Sequence, residues 1–164
     1  MTTSDRSRND TAQAPAVSHV VVGCDGAEGS EEVLAAAAYE ARQHAVPLRV
    51  LVAYEVPVPM DPEIPQPEFD EEELASGSRL AAQESWQRIR DRADFSGLDV
   101  RIEARRGNPA HVLIDEGGEH GLIVVGRRHK NLVERLLLGS TCSHVAKHAD
   151  CAVLLVPLHS ASKD

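Results

Sequence analysis

Aromatic residues, positive charge and long apolar runs are all scarce in this sequence. Trp, Tyr and Phe supply only 3 % of the 164 residues, so a core must be built from Val, Leu, Ile and Ala, as it is when helices pack on a sheet. The formal net charge of -9 argues against binding to nucleic acid or to an anionic membrane, because both need a basic face. No apolar run is long enough to span a bilayer.

Cysteine is also scarce, and its pattern argues against disulfide bonds. The cysteines are odd in number and form no Cys-x-x-Cys pair; they are Cys24, Cys142 and Cys151. This pattern favours free thiols in a reducing compartment. We therefore expect a cytoplasmic protein in which each cysteine is a small buried residue.

The sequence divides into two tails and one domain. Residues 1–16 are polar and lack the apolar core of a signal peptide, which predicts a disordered N-terminal tail. Residues 158–164 are interpreted as a C-terminal tail, which leaves a single domain over 17–157. Within it, residues 56–69 include five prolines, so 56–70 is interpreted as a mobile surface loop, with a lid over a site as the alternative.

Strand patterns alternate with helix patterns through the domain. Short apolar runs predict five strands, at 17–22, 48–54, 98–104, 122–125 and 152–156. Helical spacing predicts four helices between them, after Ser30, at 71–93, after Asn108 and at 140–149. This alternation dictates a parallel sheet with helices on both faces. The alternating polarity of the third strand predicts an edge position, and the continuous apolar fourth strand predicts a central one.

Single residues indicate where these elements begin and end. Ser30 and Asn108 are expected N-caps, because their side-chain oxygens can accept from free N–H groups of a first turn. Pro157 is expected to end the last strand. In the last helix, the spacing predicts a buried face made of Cys142, Val145, Ala146 and Ala149.

A basic stretch bounded by glycines follows the fourth strand. It runs from Gly126 to a Gly-Ser-Thr sequence, at 139–141, that opens the last helix. Backbone N–H groups at a helix N-terminus favour anions. Ligands of such sheets bind outside the carboxyl ends of the strands, where the winding reverses. If strands one and four are neighbours, the loops at 23–29 and 126–138 therefore line one crevice.

Several segments together resemble the universal stress protein family. They are Val-Val-Gly-Cys-Asp-Gly after the first strand, Arg-Gly-Asn-Pro-Ala before the third helix, Leu-Ile-Val-Val-Gly before the basic loop, and Leu-Leu-Leu-Gly-Ser-Thr followed by Ala-Val-Leu-Leu-Val-Pro. The resemblance covers about 17–157. It implies a Rossmann-like fold of the adenine nucleotide alpha hydrolase type, with a five-stranded parallel sheet of order 3-2-1-4-5. It also implies homodimers formed through the last strand, at about 152–157.

The resemblance further implies an adenosine site. ATP-binding members of the family carry Gly-x2-Gly-x9-Gly-[Ser/Thr/Asn]. By position, Asp25 would meet the ribose, with Gly23 and Cys24 in the same turn, and Ala53 would offer backbone contacts to adenine. The implied ligand is ATP, with AMP and cyclic AMP as alternatives and with Mg²⁺ accompanying ATP.

The phosphates are implied to lie between the basic loop and the last helix. Gly126 would let the backbone approach them, and Gly139, Ser140 and Thr141 would hold them from the helix start. The nearby charges of Arg127, Arg128 and Lys130 would add to the attraction.

One position departs from the family pattern, because His129 stands where the second glycine is expected. Nine residues, at 130–138, separate it from Gly139, so the spacing is kept. If the position needs a positive φ, a residue other than glycine costs roughly 1–2 kcal/mol there. The imidazole either occupies the place of a phosphate or donates a hydrogen bond to it. Two hypotheses follow: a nucleotide-binding protein of stress response or regulation, and a dimeric interaction module that has lost its ligand.

Other chemistries fit the residues less well. A phospho-acceptor role for Asp25 would need further acidic residues, which the end of the third strand does not supply. His144 and His148 lie four apart on one helical face, yet no third metal ligand is evident, so no metal site is expected and both are interpreted as complementing the helix dipole. A catalytic-triad elbow and a Walker-type lysine are also missing. We expect at most weak ATP hydrolysis.

Overall fold

The computed structural model describes residues 16–27, 29–56, 70–91, 94–128 and 139–158, with only the backbone described at 128. Five strands alternate with four helices along this part of the chain. They are β1 His19–Gly23, α1 Ser30–His44, β2 Leu48–Tyr54, α2 Glu71–Arg90, β3 Val100–Arg106, α3 Pro109–Gly117, β4 Gly121–Arg128, α4 Ser140–His148 and β5 Ala152–Leu158.

The five strands form one parallel sheet in the order β3-β2-β1-β4-β5. The predicted sheet order is therefore confirmed, as are the edge position of β3 and the interior position of β4. β1 lies at the centre, where Val20, Val21 and Val22 are fully buried. This explains its unbroken β-branched sequence, because a strand covered on both faces cannot alternate with polar residues.

The helices form two layers, one on each face of the sheet. α1 and α2 pack in a core cluster with Val20 and Val22 of β1. α3 and α4 pack in a second cluster with Val21 and with Ile123 of β4. Successive strand residues point to opposite faces, so the sheet separates the two clusters.

Two helices begin where the sequence predicts, whereas the N-cap of a third differs from the prediction. Asn108 Oδ1 accepts a hydrogen bond of 3.0 Å from the Ala110 backbone N–H, and Pro109 is the first residue of α3. Asp70 caps α2 in the same manner. The expected N-cap role of Ser30 is wrong. Gly29 occupies that position with φ 88°, and Ser30 is the first helical residue, whose hydroxyl is turned toward Asp25.

Two expectations for the last two elements are corrected. Pro157 does not end β5, which continues to Leu158. An edge strand tolerates proline because the missing N–H can lie on the unpaired side. In α4, Cys142 and Val145 are buried as predicted, but Ala146 is exposed. The helix therefore presents a narrower stripe to the sheet than its small residues suggest.

Helices of membrane-spanning length and hydropathy do not occur among the described residues. α2 is the longest helix and begins with three successive glutamates. Its buried face consists of Ala82, Ser85, Trp86 and Ile89, which is the amphipathic pattern of a surface helix.

Candidate functional site

The sheet reverses its winding at β1, which pairs with β2 on one side and with β4 on the other. Val22 of β1 lies beside Val124 of β4, so the carboxyl ends of both strands open at the same edge. A cavity of about 380 Å³ lies there. This is the position at which open α/β sheets bind ligands.

Eight of the ten site residues predicted from the sequence line this one cavity, and they come from four separate segments of the chain. They are Gly23, Cys24, Asp25, Ala53, Gly126, Gly139, Ser140 and Thr141. Arg127 is not part of the lining, although its charge acts on the thiol of Cys142. His129 lies outside the described residues.

Asp25 is held by the loop that it belongs to. Its Oδ1 accepts hydrogen bonds of 3.0 Å from the Ala27 backbone N–H and from the Ser30 hydroxyl. The loop turns at Gly26, whose φ of 69° suits glycine. The carboxylate is exposed and lines the cavity, so the protein holds it in a fixed orientation there.

The opposite end of the cavity is the start of α4. Gly139 precedes the helix, and apart from its chain neighbours no described residue has an atom within 4 Å of the position that its Cβ would take. The first-turn residues Ser140 and Thr141 line the cavity. Two hydroxyls and the first free N–H groups of the helix thus provide donors where an anion is favoured.

The packing around position 126 favours a glycine. A Cβ at this position would lie 2.6 Å from Val33 Cγ2 and 3.0 Å from Leu158 Cδ1. Such distances are too short for carbon atoms in contact, so a larger residue would require the neighbouring side chains to shift. The sequence suggested the glycine through its motif position, but the tight packing against α1 and β5 has no local sequence signal.

An apolar wall completes the cavity. Most of its residues were not predicted from the sequence. It is formed by β2, by the first turns of α3, and by the end of β5; its members include Leu51, Pro109, Val112, Leu113 and Leu158. The contribution of α3 could have been predicted from its start at Asn108, because this helix begins just after the carboxyl end of β3, on the side of the sheet where the cavity lies. A planar ring of a ligand could pack against this wall.

Two of the three free thiols also line the cavity. The Cys142 thiol lies 3.1 Å from the Gly126 carbonyl oxygen, to which it donates. Burial raises the pKa of both the Cys24 and the Cys142 thiol. These cysteines are buried, as expected, whereas Cys151 is only half-buried. Protonated thiols serve here as small packing groups, not as nucleophiles.

Comparison with known proteins identifies the family. The family model described as "Universal stress protein family" matches residues 16–157. The chain therefore belongs to the universal stress protein family. A universal stress protein of Methanocaldococcus jannaschii is 36 % identical over 76 residues, which cover 45 % of each chain. One of Mycolicibacterium smegmatis is 28 % identical over 138 residues, covering 84 % of this chain and 47 % of the relative. The chain spans about half the length of these curated relatives.

Solved structures share the fold. A universal stress protein solved in complex with cAMP is 25 % identical, with a TM-score of 0.61, over 88 % of this chain and 99 % of that one. UspA from Lactobacillus plantarum is 24 % identical, with a TM-score of 0.60 and the same coverage. The second likeness concerns the fold alone.

Proposed function

We propose that this protein binds an adenine nucleotide in the cavity at the carboxyl ends of β1 and β4, as part of a stress response or its regulation. The observation that carries the proposal is the convergence of eight motif residues on that single cavity. No two of the four segments that supply them adjoin in the sequence. Their convergence therefore supports the binding of one ligand by all four segments.

The parts of the cavity match the parts of a nucleotide. The apolar wall beside Ala53 suits an adenine ring, and the oriented Asp25 carboxylate can accept hydrogen bonds from ribose hydroxyls. Ser140, Thr141 and the α4 N-terminus can donate to phosphate oxygens. The cAMP bound by a related protein of known structure supports an adenine ligand. We propose ATP, AMP or cyclic AMP, with Mg²⁺ accompanying ATP.

Any catalytic activity is proposed to be slow. Phosphoryl transfer needs charge stabilisation and a group that positions the nucleophile. Asp25 is already engaged by Ala27 and Ser30 and lies at the ribose side in our assignment. A binding role, at most with weak ATP hydrolysis, is therefore the function that we propose.

We also propose a homodimer formed through β5 in the cytoplasm. β5 is an edge strand with the sequence Ala-Val-Leu-Leu-Val-Pro-Leu, and residues 153–156 are only half-buried. An apolar edge with unpaired backbone groups favours pairing with a second copy. This edge also supports the alternative function, a dimeric interaction module without a ligand.

Two charge variants of α4 test the nucleotide proposal. Thr141→Glu places a carboxylate in the first helical turn at the cavity, where it would repel phosphate while suiting the helix dipole. Ala146→Glu adds the same charge at an exposed position of the same helix. Calorimetric titration with AMP, cyclic AMP and ATP should show at least about tenfold weaker binding for the first variant only, since one poorly screened charge contact exceeds ~1.4 kcal/mol.

Thermal unfolding separates the two functions. A ligand present at 100 times its dissociation constant adds about 2.7 kcal/mol to the folded state. A rise in melting temperature with at least one of the three nucleotides is expected. If millimolar concentrations of all three leave the transition unchanged, the ligand-free module becomes the better account.

A further inference from the structure

Three histidines meet on the surface between α3 and α4. The ring centroid of His144 lies 4.9 Å from that of His111 and 4.4 Å from that of His148. His111 belongs to the first turns of α3, whereas the other two belong to α4. The sequence shows the pair on α4, but the third imidazole becomes visible only when the two helices pack side by side.

The geometry points to a transition-metal site. We propose that His111, His144 and His148 together bind one divalent ion of the zinc, nickel or copper type. Imidazole nitrogens are preferred ligands of these ions, and an i, i+4 histidine pair on one helical face is an arrangement that binds zinc. A third protein ligand with an open fourth position is the pattern of accessible zinc sites.

Two of the ring separations are near the spacing expected for imidazoles that share an ion. A zinc–nitrogen bond of about 2.0–2.1 Å and tetrahedral angles place the centroids of two imidazole ligands roughly 5 Å apart. The two measured separations lie close to that value. As the rings stand, the described part of the chain contains no group of three or more donors that could hold a metal ion. Binding therefore requires ring rotation, which is open to His111 and His148 because both are exposed.

The charges around the cluster have opposite effects. Lys147 lies between the two α4 histidines in sequence and would repel a cation. The whole chain carries a net charge of -9, which favours cations in general.

A bound ion would join two helices that both border the cavity. Val112 lies one residue after His111, and Cys142 lies two residues before His144. Cross-linking α3 to α4 would fix the distance between the apolar wall and the helix start. The metal site itself does not depend on nucleotide binding and can be tested without it.

The test uses untagged full-length protein and Zn²⁺ as the probe. Isothermal titration at pH 7.5 is expected to show one ion bound per chain, with Mg²⁺ giving no heat because it prefers oxygen ligands. Zn²⁺ binding should weaken by at least about tenfold in each of the variants His111→Gln, His144→Gln and His148→Gln. Even residues that only hydrogen-bond to metal ligands typically cost about tenfold or more in metal affinity when they are mutated. His120→Gln, an exposed histidine of the turn after α3, is the matched control and should bind as the wild type does.

A second measurement avoids dependence on the variants. Nitrogen–proton correlation spectra of the wild-type imidazole groups should show the three rings of the cluster shifting together as Zn²⁺ is added. The proposal is overturned if Zn²⁺ up to 1 mM gives no binding, or if the three variants bind as tightly as the control. Loss confined to the α4 variants would equally refute the role of His111 and leave a two-ligand site.

Discussion

Ser30 Oγ donates a hydrogen bond of 3.0 Å to Asp25 Oδ1, so the first residue of α1 fixes the carboxylate that faces the cavity. Ser30 is 7 % exposed, although it is polar. A buried hydroxyl is retained where it has a partner. This pair links the loop after β1 to the helix that follows, and it orients Asp25 before any ligand arrives.

Removing that hydroxyl should weaken both the fold and the site. Ser30→Ala is expected to lower the free energy of unfolding by about 1 kcal/mol, the usual net value of one hydrogen bond. It should also weaken nucleotide binding, because Asp25 loses part of its orientation. Urea unfolding and calorimetry measure the two effects. Ser76→Ala on the exposed surface of α2 is the control, and an equal loss there would contradict the role of the Ser30–Asp25 pair.

Gly126→Ala should destabilise the protein by about 1–3 kcal/mol, the usual cost of inserting a methyl group into a packed site. The clash is with Val33 and Leu158, so adding Val33→Ala should recover part of the loss. Chemical denaturation of both variants, with Val33→Ala alone completing the cycle, measures this coupling. Strictly additive effects would show that the clash with Val33 is absent.

Gly77→Ala should have the opposite sign. Gly77 lies inside α2, and apart from its chain neighbours and the adjoining helix backbone, no described residue has an atom within 4 Å of the position that its Cβ would take. Replacing a helix-interior glycine by alanine in open space stabilises by about 0.5–1 kcal/mol. A rise in the urea midpoint without a change in slope is expected. A fall would mean that α2 is strained or not helical at this point.

Asn108→Ala should cost about 1 kcal/mol, because the cap at the start of α3 is lost. Asn108→Asp keeps an acceptor for the Ala110 N–H and should retain most of the stability. Thermal unfolding of both variants distinguishes the cap from a general surface effect. Equal stability of the alanine and aspartate variants would exclude a capping role.

The thiols should be slow to alkylate in the folded protein. Burial raises the pKa of Cys24 and Cys142 above the ordinary value of 9.0, so folding favours the protonated thiols. Their contribution to stability is therefore present below pH 9 and is lost as pH rises through the raised pKa values. At pH 8, iodoacetamide should modify both sites at least about tenfold more slowly than in the urea-unfolded chain. Peptide mass spectrometry should find the half-buried Cys151 modified first.

Much of the fold could be predicted because its signals are local. The β-branched runs, the Asn-Pro start of α3 and the alternating polarity of β3 each depend on a few adjacent residues. Ser30 was misassigned because a hydroxyl that can cap its own helix has the same sequence pattern as one that bonds Asp25 five residues earlier. The predicted last strand ended too early because proline disfavours strands in general, although an edge strand tolerates it.

The site was predictable where a motif carried it and not where packing created it. The glycines and hydroxyls of the cavity stood out through their spacing. Val112, Leu113 and Leu158 did not, because an apolar residue facing a cavity looks like one facing a core. His111 was missed for a related reason: its nearness to His144 depends on the packing of two helices that are distant in sequence.

The sheet keeps two apolar clusters apart, and the cavity borders both. Cys24 belongs to the cluster beneath α1 and α2, and Cys142 belongs to the one beneath α3 and α4. A molecule bound in the cavity would therefore contact both clusters at the edge of the sheet. Opening either layer would then require release of the same ligand, so amide exchange in α1 and in α4 should slow together when the cavity is filled.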